Sequence, residues 1–197
     1  MKQSATRNSR GFTLMEMVVV TGIILLITGM ILANSSRLGG QFILDNFAYD
    51  LALTLRESQQ YGISVQRFNN SFKNAYGMHF NNSSQTTYVM FVDSSTNGIY
   101  DAAASPSEIV QSYTITRGYK ITNLCATATS GGTEVCSLDR LDIVFKRPEP
   151  DALISKSGLS CTASSANCQF SARIEMRSPR NNIRSIVIPN NGQISVQ

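Results

Sequence analysis

Glu16 is the one charged residue between Phe12 and Ala33, a run of 22 residues. A carboxylate inside so apolar a segment is costly unless a cation comes alongside it. An ionisable group within a membrane span is therefore a functional hypothesis by default. The chemistry on offer is ion pairing in a low dielectric rather than bond-making. Arg10-Gly11-Phe12-Thr13-Leu14 stands at the junction between a short basic leader and this apolar run.

The other candidate residues carry weaker signals. There is no His-Glu-x-x-His, no phosphate-cradling glycine loop and no Gly-x-Ser-x-Gly. The single histidine, His79, lies between Met78 and Phe80 in a strand-like stretch and reads as an ordinary sheet residue. Asp93-Ser94-Ser95-Thr96-Asn97-Gly98 has alternating oxygen ligands and a sixth-position glycine, as a calcium loop begins. Its twelfth position is Ala104, with Asp101 as a substitute ligand, so a turn without metal is the better reading. Arg173, Arg177, Arg180 and Arg184 cluster near the C-terminus, and Ser178-Pro179-Arg180-Asn181-Asn182 should put Arg177 and Arg180 on a loop tip. Exposed cations of this kind hold phosphate backbones, and a solvated hairpin is the plainer alternative. No enzyme activity, cofactor, metal or small-molecule substrate is implied.

Cysteine usage points to export. Cys125, Cys136, Cys161 and Cys168 do not have the spacing of a zinc or redox motif. Three pairings are possible, and free thiols are a fourth state. Cys125 with Cys136 and Cys161 with Cys168 are favoured because each pair closes a short loop of small residues. The net charge of +4 is largely a property of the leader, since Lys2, Arg7 and Arg10 lie there without an acid. Without them, 14 basic residues face 13 acidic ones.

These residues need elements to position them. The leader, 1–11, should stay cytoplasmic by its charge. Residues 12–33 make a helix of roughly 33 Å, enough for the hydrocarbon layer. Residues 34–63 should continue as an amphipathic half with Leu44, Phe47, Leu51 and Leu55 in one stripe. The expected helix runs from Phe12 to about Tyr61. Residues 64–197 read as a single β-rich domain. Its expected strands are 75–80, 86–92, 109–116, 119–124, 141–145, 170–176, 183–188 and 193–196. The stretches 127–133 and 155–166 look like loops. One long helix followed by short, alternating strands is an α+β pattern with an antiparallel sheet.

The order basic leader, glycine, Phe-Thr-Leu, glutamate and apolar run resembles the type III signal of the type IV pilin and type II secretion pseudopilin superfamily. That resemblance implies a prepilin peptidase that cuts between Gly11 and Phe12 and methylates the new N-terminus at Phe12. It implies that Glu16 meets the N-terminal amine of a neighbouring subunit during filament assembly. Gly22 and Gly29 would then allow close helix approach. Many members carry a proline near the end of the span; here that place is Ala33, so a less kinked helix is expected. The stretch from Leu51 to Gln59, the run from Tyr88 to Asp93 with Asn97, Gly98 and Asp101, and the closing hairpin from Arg184 to Ile194 are similar to the GspH/FimT minor pilins. The partners implied are the peptidase, other pilins or pseudopilins and an inner-membrane assembly platform. The implied location is the bacterial inner membrane, single-pass, with the C-terminal domain in the periplasm or outside, and then the pilus or pseudopilus. Some relatives bind DNA through basic residues in the region of Arg177, Arg180 and Arg184.

Two other readings remain at this stage. A basic n-region, an apolar h-region and the small residues Ala33-Asn34-Ser35 also describe a secretory signal peptide releasing a soluble protein near Ser36. An uncleaved anchor is the other. Glu16 and the length of the run weigh against the first, and Glu16 is unexplained by the second.

Overall fold

The computed structural model describes residues 11–64, 66–72, 74–163 and 165–197, with side chains left out for 34–39. Of the leader, 1–11, residues 1–10 lie outside the described residues. The chain forms two compact units, Met1–Gly39 and Gly40–Gln197.

One helix, α1 (Leu14–Ile63), precedes the strands. It starts two residues later than Phe12 because Thr13 takes the capping place. The backbone N–H of Glu16 donates to the Thr13 hydroxyl at 3.3 Å. Thr13-x-x-Glu16 is the sequence of a capping box, which satisfies donors the first turn leaves orphaned. Its Leu14–Ala33 portion has mean hydropathy 2.3 and none of it is buried within the chain. The hydroxyls in this stretch are satisfied internally. Thr21 donates to the carbonyls of Met17 and Val18, and Thr28 to that of Ile24. That is what hydrocarbon requires of a polar side chain. The helix ends beside the sheet at Gly62, where an added Cβ would lie 2.3 Å from the Phe145 carbonyl oxygen. Only glycine lets the two backbones meet there.

The second unit is built on α1 residues from Gly40 onward and ten strands: β1 (Ala75–Asn81), β2 (Thr87–Asp93), β3 (Ile109–Thr114), β4 (Lys120–Thr127), β5 (Glu134–Val135), β6 (Arg140–Phe145), β7 (Ala152–Lys156), β8 (Ser171–Arg177), β9 (Ile183–Pro189) and β10 (Ser195–Val196). They form two five-stranded antiparallel sheets, ordered β3-β2-β1-β6-β7 and β10-β9-β8-β4-β5. The α+β class expected from the sequence is what the structure has, though its strands divide between two sheets. Two strands escaped the sequence reading. β7 lies partly inside the Ser/Gly-rich stretch that looked like a loop, and β5 is two residues long. Both are recruited by pairing, β7 onto β6 and β5 onto β4, rather than by their own pattern.

The core sits where the helix stripe meets both sheets. Leu44, Ala48, Leu51, Ala52 and Leu55 are buried against Met78, Phe80, Leu141 and Ile143 of the first sheet. Ile174, Met176, Ile186 and Ile188 of the second sheet close the same cluster. The spacing of 4, 3, 1 and 3 is one helical face. Each fully buried leucine contributes about 1.5–3 kcal/mol. Phe47, expected in this stripe, is only partly buried and packs at its margin against Tyr119, the rings tilted and their centroids 5.1 Å apart.

The first sheet is buried on its outer face as well. Ala75, Phe91 and Val144 form a second, small apolar cluster with Tyr100 and Leu153. The segment between β2 and β3 supplies Tyr100 and covers this face.

Candidate functional site

Glu16 stands in the first turn of α1, exposed, with its backbone held by Thr13. Among the described residues, no ion pair includes Glu16. Nothing lies within 4 Å of a Cβ built on Gly11, Gly22 or Gly29. The glycines of the span thus have no packing reason among the described residues. A carboxylate at the N-terminal turn also faces the positive end of the helix dipole, which favours its charge. The Thr13 cap is a feature that the sequence reading missed, although Thr-x-x-Glu was there to be seen.

Two disulfides are present. Cys125 joins Cys136 and Cys161 joins Cys168, and among the described residues no cysteine is free. The first bond fastens the short β5 across β4. Arg173 roofs it, with one guanidinium nitrogen 3.5 Å from Cys125 Sγ and 3.6 Å from Cys136 Sγ. The same guanidinium donates to Glu134, Nε to Oε1 at 2.9 Å, and pairs with Glu175. That hydrogen bond holds the Glu134 carboxyl below its ordinary range and raises the Arg173 guanidinium in turn.

The acids of the 93–108 segment hold the segment itself. Asp93 accepts the backbone N–H groups of Asn97 and Gly98, at 3.1 and 2.9 Å, and the Ser95 hydroxyl. Burial pushes its carboxyl above the usual range, against the pull of those two N–H groups. Asp101 accepts from Ser95 and Asn97. Glu108, fully buried, accepts the N–H and hydroxyl of Ser94 and the N–H of Asp101. Donors pointing at all three carboxylates make a self-bonded turn, and a calcium ion here would have to displace them. Gly98 closes this turn with φ of 75° against the Cys161–Cys168 loop. A Cβ there would sit 1.8 Å from the Cys161 carbonyl oxygen. Gly98→Ala should therefore cost about 2 kcal/mol or more, and lower the melting temperature of the detergent-solubilised chain by roughly 5 °C. An unchanged melting curve would contradict this docking.

His79 is in β1, where the sequence placed it, but it has a partner the sequence did not show. Its Nδ1 is 2.6 Å from Oδ1 of Asp142, which is fully buried in β6. Register puts Asp142 between His79 on β1 and Ser155 on β7. A nucleophilic triad needs the imidazole in the middle, between hydroxyl and acid. Here the acid is central, and the Ser155 hydroxyl donates to the Leu159 carbonyl. Asp142 also accepts from Arg140, Nε to Oδ2 at 3.1 Å, and Arg140 donates to the Tyr100 carbonyl at 2.9 Å. The set ties the covering segment to the sheet.

The structure separates the C-terminal arginines. Arg173 is engaged by Glu134 and Glu175, and Arg184 pairs with Asp45 of α1. Arg177 is the last residue of β8, paired across to Ile183, rather than on the loop tip, because strand pairing runs one residue further than Ser178-Pro179 suggested. Arg180 is on the exposed turn.

Residues 6–32 match the prokaryotic N-terminal methylation motif. No curated protein and no solved structure matches the chain. The motif spans the glycine, the capping turn and most of the apolar portion of α1, and it supports a place in the type IV pilin and pseudopilin superfamily. Proteins with this motif are of a structural-subunit kind, processed by a peptidase and assembled with other pilins. Motif and apolar helix together fit a membrane-anchored pilin.

Proposed function

We propose that this chain is a minor pilin or pseudopilin of the GspH/FimT kind, a structural subunit of a type IV pilus or type II secretion pseudopilus. Cleavage falls between Gly11 and Phe12, and Phe12 becomes the methylated first residue. Residues 12–33 hold the subunit in the inner membrane, with the 64–197 domain on the far side, until the helix enters the filament. Residues 34–63 supply the stripe that seats the domain. Glu16 then pairs with the N-terminal amine of an adjacent subunit. The assembly platform and the other subunits are its partners.

One observation carries this reading: the methylation motif covers most of the Leu14–Ala33 portion of α1, whose apolar surface, single acid and two glycines have no partner among the described residues of the chain. A helix apolar all round must find lipid or other helices. Mass spectrometry of the mature N-terminus tests it. The expected product begins at N-methyl-Phe12. A product beginning near Ser36 makes the segment a secretory signal instead, and an intact leader in cells with an active prepilin peptidase makes it a plain anchor.

A further inference from the structure

Four cations gather at one end of the second sheet. Lys120 and Arg177 are register partners on β4 and β8, so they share the sheet's outer face. Arg117 and Arg180 lie on two turns that abut: a Cβ on Gly118 would be 3.1 Å from Pro179 Cγ. Arg117, Lys120 and Arg180 are exposed. Ile183, across from Arg177 on the same face, leaves 44% of its surface exposed.

This end of the domain is also where the chain enters it. The Tyr119 hydroxyl donates to the Gly40 carbonyl at 3.0 Å. A Cβ on Gly40 would be 4.0 Å from Arg180 Cδ. Only residues 34–39 separate Gly40 from Ala33, the last residue of the apolar portion. Even fully extended, that connection reaches no more than about 25 Å.

We propose that Arg117, Lys120, Arg177 and Arg180, with Ile183 among them, dock on anionic phospholipid headgroups of the membrane that holds the anchor. Cations close to such a surface attract it additively, and the effect fades beyond roughly one Debye length of 8–10 Å. The short connection keeps the face at high effective concentration beside the bilayer. An apolar side chain among the cations suits the boundary between headgroups and acyl chains. A nucleic-acid backbone would use the charges and leave Ile183 without a role. Docking of this kind would hold the unassembled subunit against the membrane and release it when the helix is drawn into a filament. The inference rests on residues 12–33 lying in a bilayer.

The full chain, reconstituted in nanodiscs of phosphatidylcholine with or without phosphatidylglycerol, tests it by hydrogen exchange. Amides of 116–120 and 178–183 should exchange about tenfold more slowly in the anionic discs. High salt should erase the difference. Arg117→Ala/Lys120→Ala/Arg180→Ala should erase it too, while the amides of β8 and β9 keep their protection. Lysine at 117 and 180 should preserve it, because the surface reads charge. Equal exchange in both lipids overturns the inference. So does slowing by duplex DNA in neutral discs without any effect of phosphatidylglycerol, which would give the face to nucleic acid. A chain that fails to enter the discs sinks the anchor along with this inference; an inserted chain with equal exchange sinks the inference alone.

Discussion

Glu16→Gln should reduce filament incorporation roughly a hundredfold, as far as Glu16→Ala does. The two variants separate the roles that Glu16 can play. Glutamine keeps the shape of glutamate and leaves the backbone bond from residue 16 to the Thr13 hydroxyl in place. It has no charge to offer an ammonium group. Removing one member of a low-dielectric ion pair leaves the other uncompensated, at a cost of about 3 kcal/mol or more. In an association equilibrium that is over a hundredfold. Trivial failure is excluded by the same physics, since losing an acid makes membrane insertion easier. The globular unit is not touched, so its melting curve should not move. The measurement is the amount of subunit in sheared filaments, with leader cleavage followed separately on the same cells. Normal incorporation of Glu16→Gln would end the ion-pair account. If only Glu16→Ala failed, a polar side chain at this place, and not its charge, would be what assembly needs.

What the sequence showed of this fold follows the range of its physical signals. Local periodicity was legible. The stripe from Leu44 to Leu55 marked the helix face that both sheets cover, and alternation in Arg173-Ile174-Glu175-Met176 marked β8. The paired cysteines lie 11 and 7 residues apart, short enough to see. Pairings between distant segments were not legible. His79 and Asp142 are 63 residues apart, and neither has a sequence neighbour that announces the other. β7 has only five residues, and its turn begins at once with Ser157-Gly158, so composition hid it. The division into two sheets is likewise a matter of pairing partners.

Asp142→Ala should be among the most damaging single changes in the globular unit, at about 3 kcal/mol. Asp142 is fully buried and serves three elements at once. It accepts from His79 on β1, from Arg140 on its own strand and, at 3.4 Å, from the Tyr100 N–H of the covering segment. Alanine leaves the imidazole without its acceptor and the Arg140 guanidinium without its counter-charge, beside the Tyr100 ring that packs tilted on His79 with centroids 4.8 Å apart. Arg140 keeps part of its surface in water, which limits the loss on that side. Asp142→Asn keeps acceptor capacity without the charge and should cost about half as much. The damage should be local before it is global. Residues 94–108 are held to the sheet largely by this carboxylate, by Arg140 and by the small Phe91 cluster, so their amides should lose protection first in hydrogen exchange on the full chain. An apolar replacement of both charges, Arg140→Met with Asp142→Leu, should recover most of the lost stability, because a buried ion pair exchanged for packed side chains is often close to neutral. Equal losses from the single and the double change would show that packing at position 142, not charge, holds this face closed.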